Sequence, residues 1–130
     1  MTEGPTTAKK RVLIADDEPN FAEATRLYFE AEGFEARGAT DAVEALQITA
    51  EWQPHVIITD LYKPGQMTGI EMTRRLKADE RTKHIPVLVA SASLGGGWRE
   101  EVLEAGATAV IAKPLEPEEL LVTARGIVGE

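Results

Sequence analysis

Two adjacent acids, Asp16 and Asp17, end the apolar run RVLIADDEP, and Asp60 ends a second run, HVIITD. A further run, TAVIAKP, ends instead in Lys113. If these runs are neighbouring parallel strands, their polar ends share one edge of a sheet, where carboxylates and an ammonium meet in a small cleft. Carboxylates held that close repel one another unless some are protonated or a cation binds, and their oxygens favour a hard divalent ion such as Mg²⁺. Lys113 would balance charge arriving with an anionic ligand, and Pro114 permits a cis peptide that aims the lysine back across the cleft. Ser91, ending the run PVLVAS, offers a hydroxyl to a ligand oxygen. Singly, each residue has an ordinary role: an acid after a strand caps the next helix, and a serine in a turn bonds its own backbone. Together, they suggest a site for phosphoryl chemistry.

Short β-branched segments position these residues. Val12 to Ala15, Val56 to Thr59, Val87 to Ala90 and Ala109 to Ala112 are too brief for helices and read as strands buried on both faces, with a weaker strand near Phe34 to Arg37. Amphipathic segments lie between them: Asn20 to Glu32, Asp41 to Glu51, Gly69 to Ala78, Trp98 to Ala105 and Pro117 to Val128. Asp41 with Glu44 reads as a capping box, and Gly33 and Gly106 stand where helices end in the left-handed conformation. Such alternation predicts an α/β fold with right-handed crossovers, a parallel sheet covered on both sides, and ligands bound beyond the carboxyl ends of the strands.

The chain has 130 residues, enough for one domain with a real core. Its 22 acidic residues against 14 lysines and arginines give a net charge of −8, which offers no electrostatic basis for binding nucleic acid or acidic lipid. The lack of cysteine excludes disulfides and thiol chemistry. No apolar stretch approaches the ~20 residues of a bilayer span, so a cytoplasmic location is expected. Residues 1–9 read as a flexible leader and residues 10–130 as one domain.

From about Arg11 to Val128 the chain resembles a response-regulator receiver domain, the CheY-like phosphoacceptor module of two-component signalling. ADDEP, IITDLYKPG, VLVASA and AGATAVIAKPL, in that order, carry the resemblance. It implies a flavodoxin-like (βα)5 fold, a doubly wound five-stranded parallel sheet in strand order 2-1-3-4-5. It implies Asp60 as the nucleophile that takes a phosphoryl group from a histidine kinase or phosphotransfer protein. Asp17, Asp60 and the backbone carbonyl of Tyr62 would bind Mg²⁺ directly, Asp16 through a water. Lys113 would neutralise phosphoryl oxygens, and Ser91 would move to bond them, changing a surface read by an output protein. The resemblance implies a phosphorelay module without an output domain of its own. It implies a binding module rather than an enzyme, one that would take part in its own phosphoryl transfer and autodephosphorylation. Two other functions compete: a phosphate-independent scaffold of the same fold, and a Mg²⁺-dependent aspartyl phosphatase. The phosphatase needs a second acid two residues after the nucleophile, where this chain has Tyr62.

The chain also departs from the family pattern. Val110 stands where the last strand usually carries Phe or Tyr, so a turning ring cannot transmit the signal. Lys63 replaces an apolar residue, and the segment between Pro64 and Gly69 is one residue longer than usual. Gly95, Gly96 and Gly97 precede the fourth helix, at a cost of roughly 0.5–1 kcal/mol for each that becomes helical. This marks the helix start as frayed or adaptable. Trp98 is expected either to anchor a partner or to cover the sheet edge, Trp52 to pack at a helix end, and His55 and His84 to be ordinary. Tyr62 is expected to border the path of an attacking water.

Overall fold

A computed structural model describes residues 9–61, 67–92 and 97–129 of the chain. Strands and helices alternate as β1 (Arg11–Ala15), α1 (Pro19–Ala31), β2 (Glu35–Ala39), α2 (Ala42–Trp52), β3 (Val56–Thr59), α3 (Gly69–Ala78), β4 (Val87–Ser91), α4 (Trp98–Ala105), β5 (Ala109–Ala112) and α5 (Pro117–Val128). All strand pairs are parallel, in the order 2-1-3-4-5. The winding reverses between β1 and β3, which is where a doubly wound sheet opens a crevice at its carboxyl ends. Among the described residues, no helix is long and apolar enough to cross a membrane.

The apolar runs account for the centre of the sheet. Every residue of β3 and β4 is buried, as is β1 beyond Arg11. On one face Leu13, Ile57, Val87 and Val89 pack with Ala45, Met72, Leu76 and Val102 of α2, α3 and α4. On the other, Val12, Ile14, Ile58 and Leu88 pack with Phe29, Leu120 and Leu121 of α1 and α5. Strand residues alternate between these clusters, so a one-residue slip in register would exchange the faces; two-sided burial fixes the register. β5 departs from the expected two-sided burial. Its residues are half-buried or exposed because it is an edge strand with a neighbour on one side only.

The other edge strand begins and ends later than the sequence suggests. Phe34 belongs to the end of α1, where Gly33 takes φ 99° and the Phe34 N–H donates to the Phe29 carbonyl at 3.0 Å. β2 then runs through Gly38 to Ala39 because its residues pair with those of β1, a tertiary cause that overrides glycine's poor strand preference. At α2 the Asp41 carboxylate accepts the Glu44 N–H at 2.8 Å as expected. The Glu44 side chain, however, reaches back to the N–H of Thr40 instead of closing the box on Asp41. Gly106 ends α4 with φ 118°. Gly97 does not incur the cost of a helical glycine, since it precedes α4 as a cap with φ 87°.

Candidate functional site

Strand ends fix the acids. The N–H of Asp16 donates to the Ala39 carbonyl and that of Asp60 to the Ala15 carbonyl, each at 3.1 Å, so the ladder continues one residue past β1 and β3. Both acids therefore sit at the switch point, and Asp17 follows directly. Oxygens of Asp16, Asp17 and Asp60 lie within 4.8 Å of one another, with Asp16 buried, Asp60 partly buried and Asp17 exposed. Asp60 Oδ1 accepts the Leu61 N–H at 2.7 Å. Asp16 Oδ1 accepts the Glu18 N–H at 2.9 Å, and Glu18 in turn accepts the Phe21 N–H at 3.0 Å, capping α1.

Lys113 joins them from the far edge of the sheet. Its N–H donates to the Ser91 carbonyl at 3.0 Å, and the Lys113–Pro114 peptide is cis. The ammonium donates to Asp16 Oδ2 at 2.7 Å and lies 4.0 Å from Asp60 Oδ2. Lys113 therefore does not wait for an anionic ligand: it already neutralises Asp16, an acid only 3% exposed, whose burial unpaired would be costly. Over these four groups negative charge still exceeds positive, and the oxygen-only donor set suits a hard divalent cation. Ser91 is buried at the end of β4, opposite Ala112. The Tyr62 carbonyl lies outside the described residues, as do Lys63 to Gln66, Gly95, Gly96 and residues 1–8.

Two neighbours of the site were not singled out by sequence. The Gly69 N–H donates to the Leu61 carbonyl at 2.7 Å, and a Cβ at Gly69 would overlap the Asp60 carbonyl oxygen and approach Leu61 Cα to 3.1 Å. α3 can thus start against the Asp60 backbone only without a side chain. The Phe21 ring centroid lies 4.1 Å from the Lys113 ammonium. The Phe21 contact joins elements distant in the chain and the Gly69 contact depends on how the chain folds back after β3, so neither follows from residue type and spacing.

The remaining candidates lie elsewhere. His55 accepts the Arg11 N–H through Nδ1 at 2.9 Å, and burial, then the charges of Arg11 and Lys10, hold its pKa below the usual histidine range. Trp52 packs at the end of α2, with Arg37 at 4.6 Å and Arg11 at 5.9 Å from its ring centroid. Trp98 covers the sheet rather than standing free, partly buried on the same cluster as Val110.

A doubly wound parallel sheet with an acidic cluster and a lysine at its switch point defines a class of α/β domains that bind ligands at the carboxyl edge. The chain belongs to the response regulator receiver domain family, whose family model matches residues 12–125. It is 31% identical over 121 residues to the polar-differentiation response regulator DivK of Brucella ovis, covering 93% of this chain and 98% of that protein. The chemotaxis response regulator CheY4 of Vibrio cholerae superposes with a TM-score of 0.84 at 28% identity, over 92% of this chain and 99% of that one. The receiver domain of a sensor histidine kinase of Pseudomonas aeruginosa, solved with a magnesium ion coordinated in its active site cleft, has a TM-score of 0.84 and 24% identity. It covers 95% of this chain and 100% of its own, and at that identity the likeness is one of fold.

Proposed function

We propose that the protein is a phosphoacceptor receiver, phosphorylated on Asp60 by a histidine kinase or phosphotransfer protein and signalling by phosphorylation-dependent binding of an output protein. The observation that carries this reading is the meeting of Asp16, Asp17 and Asp60 with the Lys113 ammonium at the carboxyl edge of the sheet. Oδ2 of Asp60 attacks phosphorus, and the bond from phosphorus to the donor breaks with its electron pair leaving on the donor. Oδ1, held by the Leu61 N–H, keeps the carboxylate from rotating. Lys113 stands 4.0 Å from Oδ2, where it can meet an equatorial phosphoryl oxygen as negative charge concentrates there. Ser91, at the end of the adjoining strand, supplies a hydroxyl to the same group. Asp17, Asp60 and the Tyr62 carbonyl would hold Mg²⁺, with Asp16 acting through a water; the ion would supply charge neutralisation of the phosphoryl oxygens.

Mass spectrometry after incubation with Mg²⁺ and a small acyl phosphate tests the reading. One added phosphoryl group, lost in Asp60→Ala and with a chelator, is the expected result. Absence of an adduct with acyl phosphate and phosphohistidine donors alike would mean a phosphate-independent scaffold. Steady turnover of varied phosphate esters would mean a phosphatase.

A further inference from the structure

We propose that Phe21 is a positioning residue for Lys113, its ring face holding the ammonium beside the phosphoacceptor oxygen through a cation–π contact. The inference rests on the reading of Asp60 as phosphoacceptor. Lys113 Nζ lies 4.1 Å from the Phe21 ring centroid, 2.7 Å from Asp16 Oδ2 and 4.0 Å from Asp60 Oδ2. An ammonium within about 6 Å of an aromatic centroid is drawn to the ring's negative face, more strongly as it loses water. The Lys113 side chain is 18% exposed. A cavity of ≈ 390 Å³ beside it is lined by Phe21, Ala92, Pro114 and Leu115, which are apolar, together with the lysine itself.

The ring does something a further carboxylate could not. Asp16 takes one of the three ammonium protons, and another acid would take a second and add repulsion toward an incoming phosphoryl group. A neutral ring attracts the cation without a lone pair that competes for its protons. Donors thus remain for a phosphoryl oxygen arriving on Asp60.

Nor is the ring's placement incidental. The Glu18 N–H is bonded to Asp16 and the Phe21 N–H to Glu18, so the acid, the cap of α1 and the ring form one hydrogen-bonded unit. Phe21 also packs on the core cluster that joins α1 to α5. The contact therefore couples the first turn of α1 to the β5–α5 junction across the site.

Replacing Phe21 in the full chain by mono-, di- and trifluorophenylalanine tests this, because fluorine weakens the ring's quadrupole while nearly keeping its shape. The rate of Asp60 phosphorylation by a small acyl phosphate with Mg²⁺ is expected to fall stepwise with each fluorine. It should reach about threefold to tenfold below the native rate for the trifluoro ring, with Phe21→Leu falling as far and Phe21→Tyr keeping most of it. Unfolding midpoints measured in parallel show that the fold is retained. Equal rates across the fluorinated series would overturn the proposal and leave the ring a passive wall. Absence of an adduct on the native protein would instead overturn the phosphoacceptor reading, and the inference with it, before any variant is compared.

Discussion

Asp60 stands among charges of its own sign, and that has a cost that can be measured without any phosphoryl donor. Asp60→Asn keeps an oxygen for the Leu61 N–H and removes one charge from the cluster. In chelator the variant should unfold later than the native protein, by about 1 kcal/mol. Added Mg²⁺ should erase the gain, since the native site has more charge to offer the ion. An unchanged midpoint in chelator would mean that Lys113 and solvent already absorb the repulsion. At the opposite end of the sheet, His55 sets a pH dependence. Its Nδ1 is committed to the Arg11 N–H, so protonation must break that bond. The unfolded histidine takes its proton near pH 6.5, whereas the folded one, its pKa lowered by burial, takes it only at lower pH. The unfolded state thus binds more protons in between, and stability falls as pH drops below about 6.5 until the folded pKa is passed. Urea midpoints at about pH 7.5 and pH 5.5 should therefore separate more for the native protein than for His55→Gln; an equal separation would exclude the effect. At this scale the site's charged members were legible because each ends an apolar run. Phe21 and Gly69 were not: Phe21 meets a lysine at the far end of the chain, and Gly69 meets backbone brought against it only by the turn of the chain after β3.

The elements themselves were largely written in the chain. β3, α3, α4, β5 and α5 occupy the spans their patterns suggest, because polar residues, Gly or Pro stand at the ends of each and interrupt its pattern. β2 was least legible: Phe34 serves the cap of α1, and Gly38 is held in a strand only by pairing with β1. α3 shows what an element boundary can demand of one residue. Gly69→Ala forces the Asp60–Leu61 backbone to shift, since the new methyl overlaps a backbone carbonyl that no side-chain rotation can clear. A loss of about 1–3 kcal/mol of stability is expected, with slower phosphorylation of Asp60. Gly126→Ala, in α5 with nothing within 4 Å of the added Cβ, is the control and should stabilise by about 0.5–1 kcal/mol. Chemical denaturation of the two variants should move in opposite directions. If Gly69→Ala is as stable and as readily phosphorylated as the native chain, the close approach does not position the acceptor.

Across the whole molecule, the two ends of the sheet differ in how firmly they are held. The amino edge is tied by Arg11, which donates to His55 and to the Gln53 carbonyl at 2.6 Å and, with Arg37, flanks Trp52. At the carboxyl edge, α4 begins without a side-chain cap at Gly97, spans eight residues and buries only Val102. Few buried contacts place α4 among the least stable parts of a domain. It starts a few residues beyond Ser91, and its Trp98 packs on the cluster that includes Val110, where the family usually has an aromatic residue. If a phosphoryl group on Asp60 is read through this loosely held helix, no turning ring on β5 is needed. The protein's two tryptophans sit at opposite edges and report them separately. With Mg²⁺ and fluoroberyllate as a phosphoryl mimic, Trp52→Phe, which leaves Trp98 as the emitter, should shift in intensity or wavelength. Trp98→Phe, emitting from Trp52, should stay nearly constant. A response carried by Trp52, or by neither residue while the mimic is shown by calorimetry to bind, would remove α4 as the transmitting element.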